Sequence, residues 1–455
     1  MILEGLRRVH FIGIGGAGMS AIAKVLIERG YEVSGSDLKG SRAATMLEAM
    51  GASVSIGHDA VNVEGAELVV VSSAIPESNP EYRRAIELKI SVLARGAALA
   101  TLTEGFRSLI VSGTHGKTTT TSMIATVLRR AGLDPTYLIG AGLNDVGTNA
   151  RAGSTDLLVA ESDESDGSFL LLKPTIAIVT NIEMDHVDHW SSYEELHDAF
   201  ESFVASGPAD GTVVVPVDEE ALVQSSGAGR SIRTGPGGEV WASDTRPHHE
   251  GISFTLHVPE GSTEVELKVP GEHNVANAVT AAAACVAIDL GLDEIAAGLG
   301  AYRGVERRFQ IRGRVNQITV VDDYAHHPTE VRATLAAARP GPWSRVIAVF
   351  QPHRYSRTLA LARDFGEAFS DADRIVLTDV YGAGEEPVPG VSGKLIADAV
   401  TASFPGRPVA YLPHRDDLIR YLVDTARPGD VLLTLGAGDV TTIGDEFLAR
   451  TAPFE

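Results

Sequence analysis

The chain has 455 residues, of which 44% are hydrophobic and 22% are charged, so its length suits roughly two to four globular domains. Its formal net charge of −22 argues against nucleic acid or an anionic membrane surface as a partner. No segment approaches the ~20 uninterrupted apolar residues of a membrane helix, and the single cysteine, Cys285, cannot form an internal disulfide. We therefore expect a soluble, cytoplasmic protein.

Apolar β-branched runs alternate with helical patterns almost throughout the chain, which is typical of α/β domains with mostly parallel sheets. The first unit begins with the strand VHFIGI, a glycine turn and a helix, and it fades near residue 105. The same strand–loop–helix pattern begins again at SLIVSGTHGKTTTT and once more after RGVERRF. We therefore predict three domains, 1–105, 106–306 and 307–455, with the segment 207–268 less regular than the rest.

The first unit carries a glycine motif that is typical of binding sites for diphosphate groups. Gly13, Gly15 and Gly18 match the dinucleotide fingerprint, and Asp37 ends the second strand near the spacing expected of an acid that binds ribose. The motif does not distinguish NAD from FAD or a UDP-sugar, and a glycine turn without a ligand would look the same. An NAD-dependent oxidoreductase is therefore one alternative.

The second unit opens with the most specific motif of the chain, a glycine loop between an apolar strand and a helix. The loop consists of Gly113, Thr114, His115, Gly116, Lys117 and Thr118. Its backbone N–H groups can approach phosphate oxygens, Lys117 can reach the β- and γ-phosphates, and Thr118 can bind Mg²⁺. The strict Walker pattern would have glycine where the chain has Val111, so the loop is a shorter variant. We predict that it binds ATP.

Two later strands of this unit end in acidic residues and histidine, at the sheet edge where α/β domains bind ligands. Glu161 ends one strand, and the other is followed by Asn181, Glu183, Asp185 and His186. Because Mg²⁺ prefers oxygen ligands, Glu161 and Thr118 are candidate ligands, and His186 could complete a second metal site.

The segment DHVDH has two other interpretations. One is a zinc site, since two histidines and two carboxylates are possible zinc ligands: Asp185, His186, Asp188 and His189. The other is an acidic, histidine-rich surface loop that binds no metal.

A series of short motifs spans nearly the whole chain: GIGGAGMS, SDL, SSAIP, GTHGKTTTT, AESDESDGSF, TNIEMDH, GEHNVANA, RGVERRF, DDYAHHPTEV, FQPHRYSRT and LGAGD. Together they resemble the motifs of the Mur ligases, and ESDESD, DDYAHHPTEV and QPHRYSRT resemble most the member that adds L-alanine. The resemblance implies an N-terminal Rossmann-like domain for a UDP-sugar, a central P-loop mononucleotide-binding domain and a C-terminal Rossmann-like domain. It also implies that ATP phosphorylates the lactyl carboxylate of UDP-N-acetylmuramic acid, and that the amine of L-alanine attacks the acyl phosphate, in peptidoglycan biosynthesis.

The resemblance also implies which residues form the site. The metal ligands would be Thr118, Glu161 and His186. The catalytic residues would be Lys117, Glu161, His186, His327 and Arg354. ATP would be bound by Gly113, Thr114, His115, Gly116, Lys117, Thr118, Thr119, His273, Asn274, Asn277 and Arg307. The UDP-sugar would be bound by Gly15, Gly16, Ala17, Gly18, Met19, Ser20, Asp37, Ser72, Ser73 and His115.

Two of these assignments have plain alternatives. Asn274 precedes an Ala-rich helix, so it could cap that helix instead of binding nucleotide. Either Arg307 or Arg308 could reach the phosphates, and either could equally form an interdomain salt bridge.

L-Alanine would bind in the third unit, where aromatic, histidine and arginine residues follow two predicted strands: Tyr324, His326, His327, His353, Arg354 and Arg357. Arginine binds carboxylates with paired hydrogen bonds, so Arg354 and Arg357 are the candidates for the amino-acid carboxylate. His327 is the candidate base for the amine. Adjacent side chains of an extended segment point in opposite directions, so only one of His326 and His327 is expected to face the substrate.

Several Mur ligases carry a carbamylated lysine after the metal-binding histidine, but the segment WSSYEELHDAF has no lysine. The metal site would then depend more on His186 and Glu161. The remaining alternatives are a recycling ligase that attaches a murein tripeptide, and a nucleotide-responsive regulatory protein without catalysis. We expect small-molecule partners, neither nucleic acid nor membrane, a monomer or weak homodimer, and domain closure about hinges near residues 105 and 305.

Overall fold

The computed structural model describes residues 5–186, 189–249 and 251–452, and within them the chain forms four β-sheets. Three of these sheets are mostly parallel, which confirms the α/β class predicted from the alternation of strands and helices. None of the helices in the described part of the chain is long and apolar enough to cross a membrane.

The N-terminal sheet has five parallel strands in the order β3-β2-β1-β4-β5. Its strands and helices are β1 (Arg8–Ile12), α1 (Ala17–Glu28), β2 (Glu32–Asp37), α2 (Arg42–Ala49), β3 (Ser53–Ile56), β4 (Leu68–Val71), α3 (Pro80–Glu87), β5 (Ser91–Ala94) and α4 (Arg95–Thr103). The glycine motif connects β1 to α1, so its backbone N–H groups lie at the start of a helix.

The central sheet has seven strands in the order β12-β11-β10-β6-β9-β7-β8, parallel except for the antiparallel edge strand β8. Its elements are β6 (Arg107–Ser112), α5 (Lys117–Arg130), β7 (Thr136–Leu138), β8 (Ala150–Arg151), β9 (Leu157–Glu161), β10 (Ile176–Val179), α6 (Tyr193–Ala205), β11 (Thr212–Pro216), α7 (Glu220–Ser226) and β12 (Arg230–Thr234). Successive residues of a strand face opposite sides, so Leu109 and Val111 pack into one core and Ile110 into the other.

The segment 207–268 is more regular than the sequence analysis predicted. It contributes β11 and β12 to the central sheet and then forms a three-stranded antiparallel sheet. The strands of that sheet are β13 (Trp241–His248), β14 (Gly251–Val258) and β15 (Gly261–Leu267). Two helices follow, α8 (Glu272–Val286) and α9 (Leu292–Ala301). Cys285 lies in α8, fully buried, and burial raises the pKa of its thiol.

The C-terminal sheet has six strands in the order β16-β17-β21-β18-β19-β20, parallel except for the antiparallel edge strand β16. Its elements are β16 (Gln310–Val315), β17 (Ile318–Asp323), α10 (Pro328–Ala338), β18 (Arg345–Phe350), α11 (Tyr355–Ala368), β19 (Arg374–Leu377), α12 (Gly393–Ser403), β20 (Val409–Tyr411), α13 (Arg415–Thr425), β21 (Asp430–Leu435) and α14 (Thr441–Thr451).

Each parallel sheet occupies one of the three predicted domains, and the division at residues 105 and 306 remains our proposal for their bounds. The N-terminal and central parts share one apolar core, because α1 packs against β7 and β8. Polar contacts join the central and C-terminal parts instead, and these contacts surround the site described next.

Candidate active site

A cleft of about 530 Å³ lies where the three parts of the chain meet. Ala17 and Arg95 line it from the N-terminal part, the glycine loop and Glu161 from the central part, and Tyr324 and Arg354 from the C-terminal part. The strands behind it end at this cleft, which is the edge where parallel α/β sheets bind ligands.

The glycine loop of the central part joins β6 to α5 in a conformation that requires glycine at two positions. Gly113 has a φ of +134° and Gly116 a φ of +80°. A Cβ atom would lie 2.1 Å from the Thr180 hydroxyl at Gly113 and 2.2 Å from the Asn277 amide oxygen at Gly116. Val111, where the strict Walker pattern has glycine, is fully buried in β6, so the loop begins only after the strand ends.

Lys117 begins α5, and its ammonium group is held inside the loop. It donates hydrogen bonds to the carbonyls of Gly113 (2.6 Å) and Thr114 (3.2 Å), and to Glu164 Oε2 (2.7 Å). Burial lowers the pKa of Lys117, but the nearby carboxylates, Glu164 first among them, outweigh it and raise the pKa. Lys117 is therefore a fixed positive charge.

Glu161 lies at the end of β9 with a carboxylate that suits a cation. Its Oε2 is buried and has no hydrogen-bond partner among the described residues. Burial raises the pKa of Glu161, although Thr118 and Lys117 act in the opposite direction. Thr118 and Glu161 are thus in contact, as the predicted Mg²⁺ site requires. A Cβ atom on Gly140 would lie 2.1 Å from Glu161 Oε1, so this glycine leaves the space that the carboxylate fills.

His186 follows β10 with a φ of +52°, an uncommon value for a non-glycine residue that often marks functional sites. Its Nε2 lies 3.6 Å from Glu164 Oε1 and 3.6 Å from Asp185 Oδ2. Burial lowers the pKa of His186, so the ring is neutral at pH 7 and can act as a ligand. The acid nearest to it is therefore not Glu161, the residue that the sequence analysis paired with it.

Glu164 is a site residue that the sequence analysis missed. It belongs to the quoted segment ESDESD, but the position of an acid within a loop does not reveal whether the acid is buried. The structure buries its side chain to 1% exposure between Lys117 and His186. Burial raises the pKa of Glu164 to about 7. The charge of Lys117 acts to lower this pKa, and the charge of Asp163 acts to raise it. Arg95 was missed as well; it reaches from α4 to Asp163 (3.3 Å).

His115 joins the glycine loop to the start of α10. Its Nε2 lies 3.0 Å from Glu183 Oε2 and its Nδ1 lies 3.3 Å from Glu330 Oε1. Burial lowers the pKa of His115, but these two carboxylates outweigh it and raise the pKa to about 9. The centroids of the His327 and His115 rings are 4.9 Å apart. One possible ligand atom from each of His115, Glu183 and His327 lies within 4.8 Å of the other two, so this group could hold a metal ion. We interpret the group as an interdomain ion-pair network, because the two ring nitrogens of His115 face the carboxylates of Glu183 and Glu330, one on each side of the junction.

The two adjacent histidines face different surroundings, and His326, not the predicted base His327, lines the cleft. His327 caps α10 by accepting a hydrogen bond from the N–H of Thr329 (3.3 Å) and is not among the residues that line the cleft. His326 lines the cleft and lies 3.2 Å from Glu330. Burial lowers the pKa of His326 to about 3, so its ring is uncharged.

The other predicted residues for the amino acid also line the cleft: Tyr324, His353, Arg354 and Arg357. Arg357 already forms a buried, bidentate ion pair with Asp185, at 3.0 and 3.1 Å. Arg354 lines the cleft at the start of α11 with a φ of +69°, an uncommon and strained value for a non-glycine residue. Burial and the nearby arginines lower the pKa of His353 to about 4.

A second cavity of about 320 Å³ adjoins the glycine loop on its other side. His273, Asn274, Asn277, Thr119 and Arg308 are among the residues that line it. The alternative that Asn274 caps α8 is wrong, because the cap is Gly271 and the Asn274 amide donates to the carbonyl of Pro270 (2.6 Å).

The paired arginines at the second domain junction take different roles. Arg307 binds Asp322 (3.1 Å) and the carbonyl of Gly436 (2.7 Å), which fixes it to the C-terminal sheet. Arg308 lies 3.7 Å from Glu330 and lines both cavities. The geometry therefore favours Arg308 over Arg307 as the arginine that reaches a phosphate.

The N-terminal glycine motif forms a compact turn. Some of the residues predicted to bind the UDP-sugar contact other residues of the N-terminal part instead of lining a cavity. The Asp37 carboxylate accepts a hydrogen bond from the N–H of Gly15 (2.9 Å). Met19 and Ser20 are buried in α1, and Ser72 packs beside Gly13 with Ser73 exposed next to it. Gly16 precedes α1, and Ala17 and Gly18 line a smaller cavity that Arg95 shares.

The zinc interpretation of DHVDH gains no support from the described residues. Asp185 is taken up by Arg357, and the His189 ring packs against Trp190. Asp188, the remaining candidate ligand, lies outside the described residues. Within the described chain, His186 and His189 do not belong to a group whose ligand atoms could share one metal ion.

Family models match most of the chain. They are the Mur ligase family catalytic domain at residues 8–107, the Mur ligase middle domain at residues 111–285, and the Mur ligase glutamate ligase domain at residues 307–438.

Individual relatives are similar over almost their entire length. The UDP-N-acetylmuramate–L-alanine ligase of Geobacter sp. (strain M21) is 47% identical over 98% of both chains. The protein of the same name from Rubrobacter xylanophilus is 48% identical over 97% of this chain and 100% of its own. Among solved structures, the UDP-N-acetylmuramate-alanine ligase of Thermotoga maritima superposes with a TM-score of 0.82 at 29% identity, covering 97% of this chain and 98% of its own. A murein peptide ligase from Psychrobacter arcticus gives 0.74 at 25% identity, covering 99% and 100%.

Proposed function

The chain belongs to the Mur ligase family, and from this premise we propose that it joins L-alanine to the lactyl carboxylate of UDP-N-acetylmuramic acid at the expense of ATP. The products are the alanyl amide, ADP and phosphate, and the step belongs to peptidoglycan synthesis. The observation that carries the proposal is the cleft where the three parts meet, because it brings the phosphate loop and the residues suited to an amino acid together.

The central part binds ATP. The loop Gly113–Thr118 receives the phosphates, with Lys117 as the positive charge that stabilises the moving phosphoryl group. The adjoining cavity suits the nucleoside, with Asn274 and Asn277 as polar contacts and Arg308 at the phosphate end. Thr119 and His273 line the same cavity, whereas Arg307 is fixed to the C-terminal sheet.

The same loop provides a site for Mg²⁺, the metal that Mur ligases usually require. Thr118 and Glu161 fit it, since Glu161 Oε2 is buried without a hydrogen-bond partner among the described residues. His186 is neutral and faces the same cleft. Mg²⁺ supplies positive charge at the phosphate oxygens.

The C-terminal part binds L-alanine. Arg354 is our candidate for its carboxylate, because Arg357 is already paired with Asp185. His326 and His353 are uncharged and line the cleft, so they can accept hydrogen bonds from the amine without repelling it. His327, the base that the sequence indicated, contacts His115 instead, and we propose that it positions that residue.

The N-terminal part binds the UDP-sugar at its glycine motif. The helix α1 begins at Ala17, where its N-terminus favours a negatively charged diphosphate, while the N–H groups of Gly15 and Gly16 are already bonded to Asp37 and Gly13. Arg95, at the entrance to the main cleft, adds positive charge. We expect a cytoplasmic enzyme that is a monomer or weak homodimer.

Phosphate release from ATP with Mg²⁺ and UDP-N-acetylmuramic acid tests the proposal, measured with and without L-alanine. We expect alanine-dependent release and a product heavier by one alanyl residue, both lost in Lys117→Met and kept in the exposed control Lys173→Met. Turnover with a murein tripeptide alone would identify a recycling ligase, which the likeness to the Psychrobacter structure keeps as the second candidate. Family membership leaves no basis for the oxidoreductase alternative.

A further inference from the structure

The two oxygens of Glu164 have different surroundings, although the whole side chain is buried. Oε2 accepts a hydrogen bond from Lys117 at 2.7 Å. Oε1 has no hydrogen-bond partner among residues 5–186, 189–249 and 251–452, and lies 3.6 Å from His186 Nε2. One oxygen is therefore committed to the phosphate loop, and the other faces a neutral histidine ring.

The ammonium group of Lys117 has no donor left for a phosphate in this state. It has three N–H donors, and it uses them on two loop carbonyls and on Glu164. A phosphate oxygen can bind Lys117 only by replacing one of these partners. Glu164 is the one anion among the three, so its carboxylate occupies the position that an incoming phosphate must take.

A carboxylate released from Lys117 must take up a proton or find another cation, because desolvation makes an isolated buried charge very unfavourable. Arg357 is already paired with Asp185 and is not free to bind it. His186 Nε2 lies 3.6 Å from Glu164 Oε1, so a divalent cation held by this ring could also bind the released carboxylate, whose oxygens are the ligands that Mg²⁺ prefers. Glu161 Oε2, also buried without a partner in the described chain, would complete the same set.

We propose that Glu164 exchanges partners when the nucleotide binds. The phosphates replace its carboxylate on Lys117, and the carboxylate then binds the divalent cation beside His186. Glu164 then gives its full charge to the cation once the phosphates have engaged the lysine. The two events are coupled because one carboxylate serves both partners. This inference rests on the proposed function, since it assumes that the loop binds ATP with Mg²⁺.

The variant Glu164→Gln tests the exchange through two affinities, for ADP and for Mn²⁺, of which only the second should weaken. ADP binding in EDTA, measured by equilibrium dialysis, should be at least as tight as in the wild type, because no carboxylate competes for Lys117. Mn²⁺ binding in the presence of ADP, measured by electron paramagnetic resonance, should weaken by about 10- to 100-fold, the range seen when supporting groups of a metal site are removed. Unchanged Mn²⁺ binding, or weakening of both constants together, would overturn the proposal.

A second variant tests the same exchange by removing the lysine instead of the carboxylate. Lys117→Met frees Glu164 without any nucleotide, so it should bind Mn²⁺ more tightly than the wild type when ADP is absent; equal or weaker binding counts against the proposal. Asp166→Asn, which removes a half-exposed charge from the same loop, serves as the control and should change neither constant. None of these assays needs an acceptor, so failure of alanine-dependent turnover would contradict the proposed function and leave the exchange standing.

Discussion

At the scale of single residues, the ion pair of Arg357 and Asp185 connects α11 to the segment that follows β10. Both side chains are 6% exposed. Burial raises the pKa of Asp185, but the charge of Arg357 outweighs it and holds the pKa well below its usual value. The two partners come from different parts of the chain, so the pair ties the proposed binding site for the amino acid to the segment that carries His186.

Removing one partner leaves the other charge buried and unpaired. We expect Asp185→Asn to lower the free energy of unfolding by about 3–5 kcal/mol, measured by denaturant unfolding. The control is Asp398→Asn, which removes an exposed partner of Lys394 and should change the free energy by less than about 0.5 kcal/mol. Equal effects of the two substitutions would show that the buried pair has no special role.

At the scale of elements, the loop between β7 and β8 packs against the end of β9. Gly140 has no unusual φ, so an alanine there strains no dihedral angle, but its Cβ would lie 2.1 Å from Glu161 Oε1. We expect Gly140→Ala to displace the Glu161 carboxylate and weaken Mn²⁺ binding by about tenfold or more. Gly40→Ala, where a Cβ meets nothing within 4 Å, should leave it unchanged. Similar Mn²⁺ affinities in both variants would place the cation elsewhere.

The contact between the glycine loop and α10 is expected to depend on pH through His115. Its pKa is raised from 6.5 to about 9, so its ion pairs stabilise the fold fully below pH 6.5 and are lost as the pH rises through 9. The pKa of Glu183 is lowered from 4.5 to about 2, so its contribution is present above pH 4.5 and is lost as the pH falls towards 2. The contact is thus strongest between pH 4.5 and 6.5.

Unfolding temperatures across the upper range check this dependence. The Tm difference between the wild type and His115→Gln should be largest near pH 6 and shrink steadily towards pH 9.5. His414→Gln, on an exposed histidine, provides the baseline. A difference that stays constant or grows with pH would mean that His115 is held by packing and not by its charge.

At the scale of the whole molecule, the polar contacts between the central and C-terminal parts suit a junction that opens and closes. Gly105 and Gly304 lie at the two junctions with φ values of +82° and +84°. We expect the radius of gyration from small-angle scattering to fall when an ATP analogue and UDP-N-acetylmuramic acid bind together. The ATP analogue alone is the comparison. An unchanged radius with both ligands would remove the hinge hypothesis.

The features that sequence reasoning could predict are those that depend on neighbouring residues. A strand, a glycine loop and a helix in series locate Lys117, and strand ends locate Glu161 and His186. Contacts between residues far apart in sequence could not be predicted in this way. The residues next to Glu164 in the sequence do not indicate that Lys117 and His186 enclose it. Irregular composition also hid β11 and β12, because short strands between Gly- and Ser-rich turns carry little periodic signal.

The single buried cysteine has a practical consequence. Cys285 lies in α8 at 0% exposure, and burial raises the pKa of its thiol, so thiolate-seeking reagents will not reach it in the folded chain. Fluorophore or spin-label pairs can therefore be attached through cysteines introduced on the outer faces of any two domains, with no native thiol to remove first. Covalent inhibitors that target thiols, for the same reason, will find no accessible cysteine in the folded chain and must take their selectivity from the cleft.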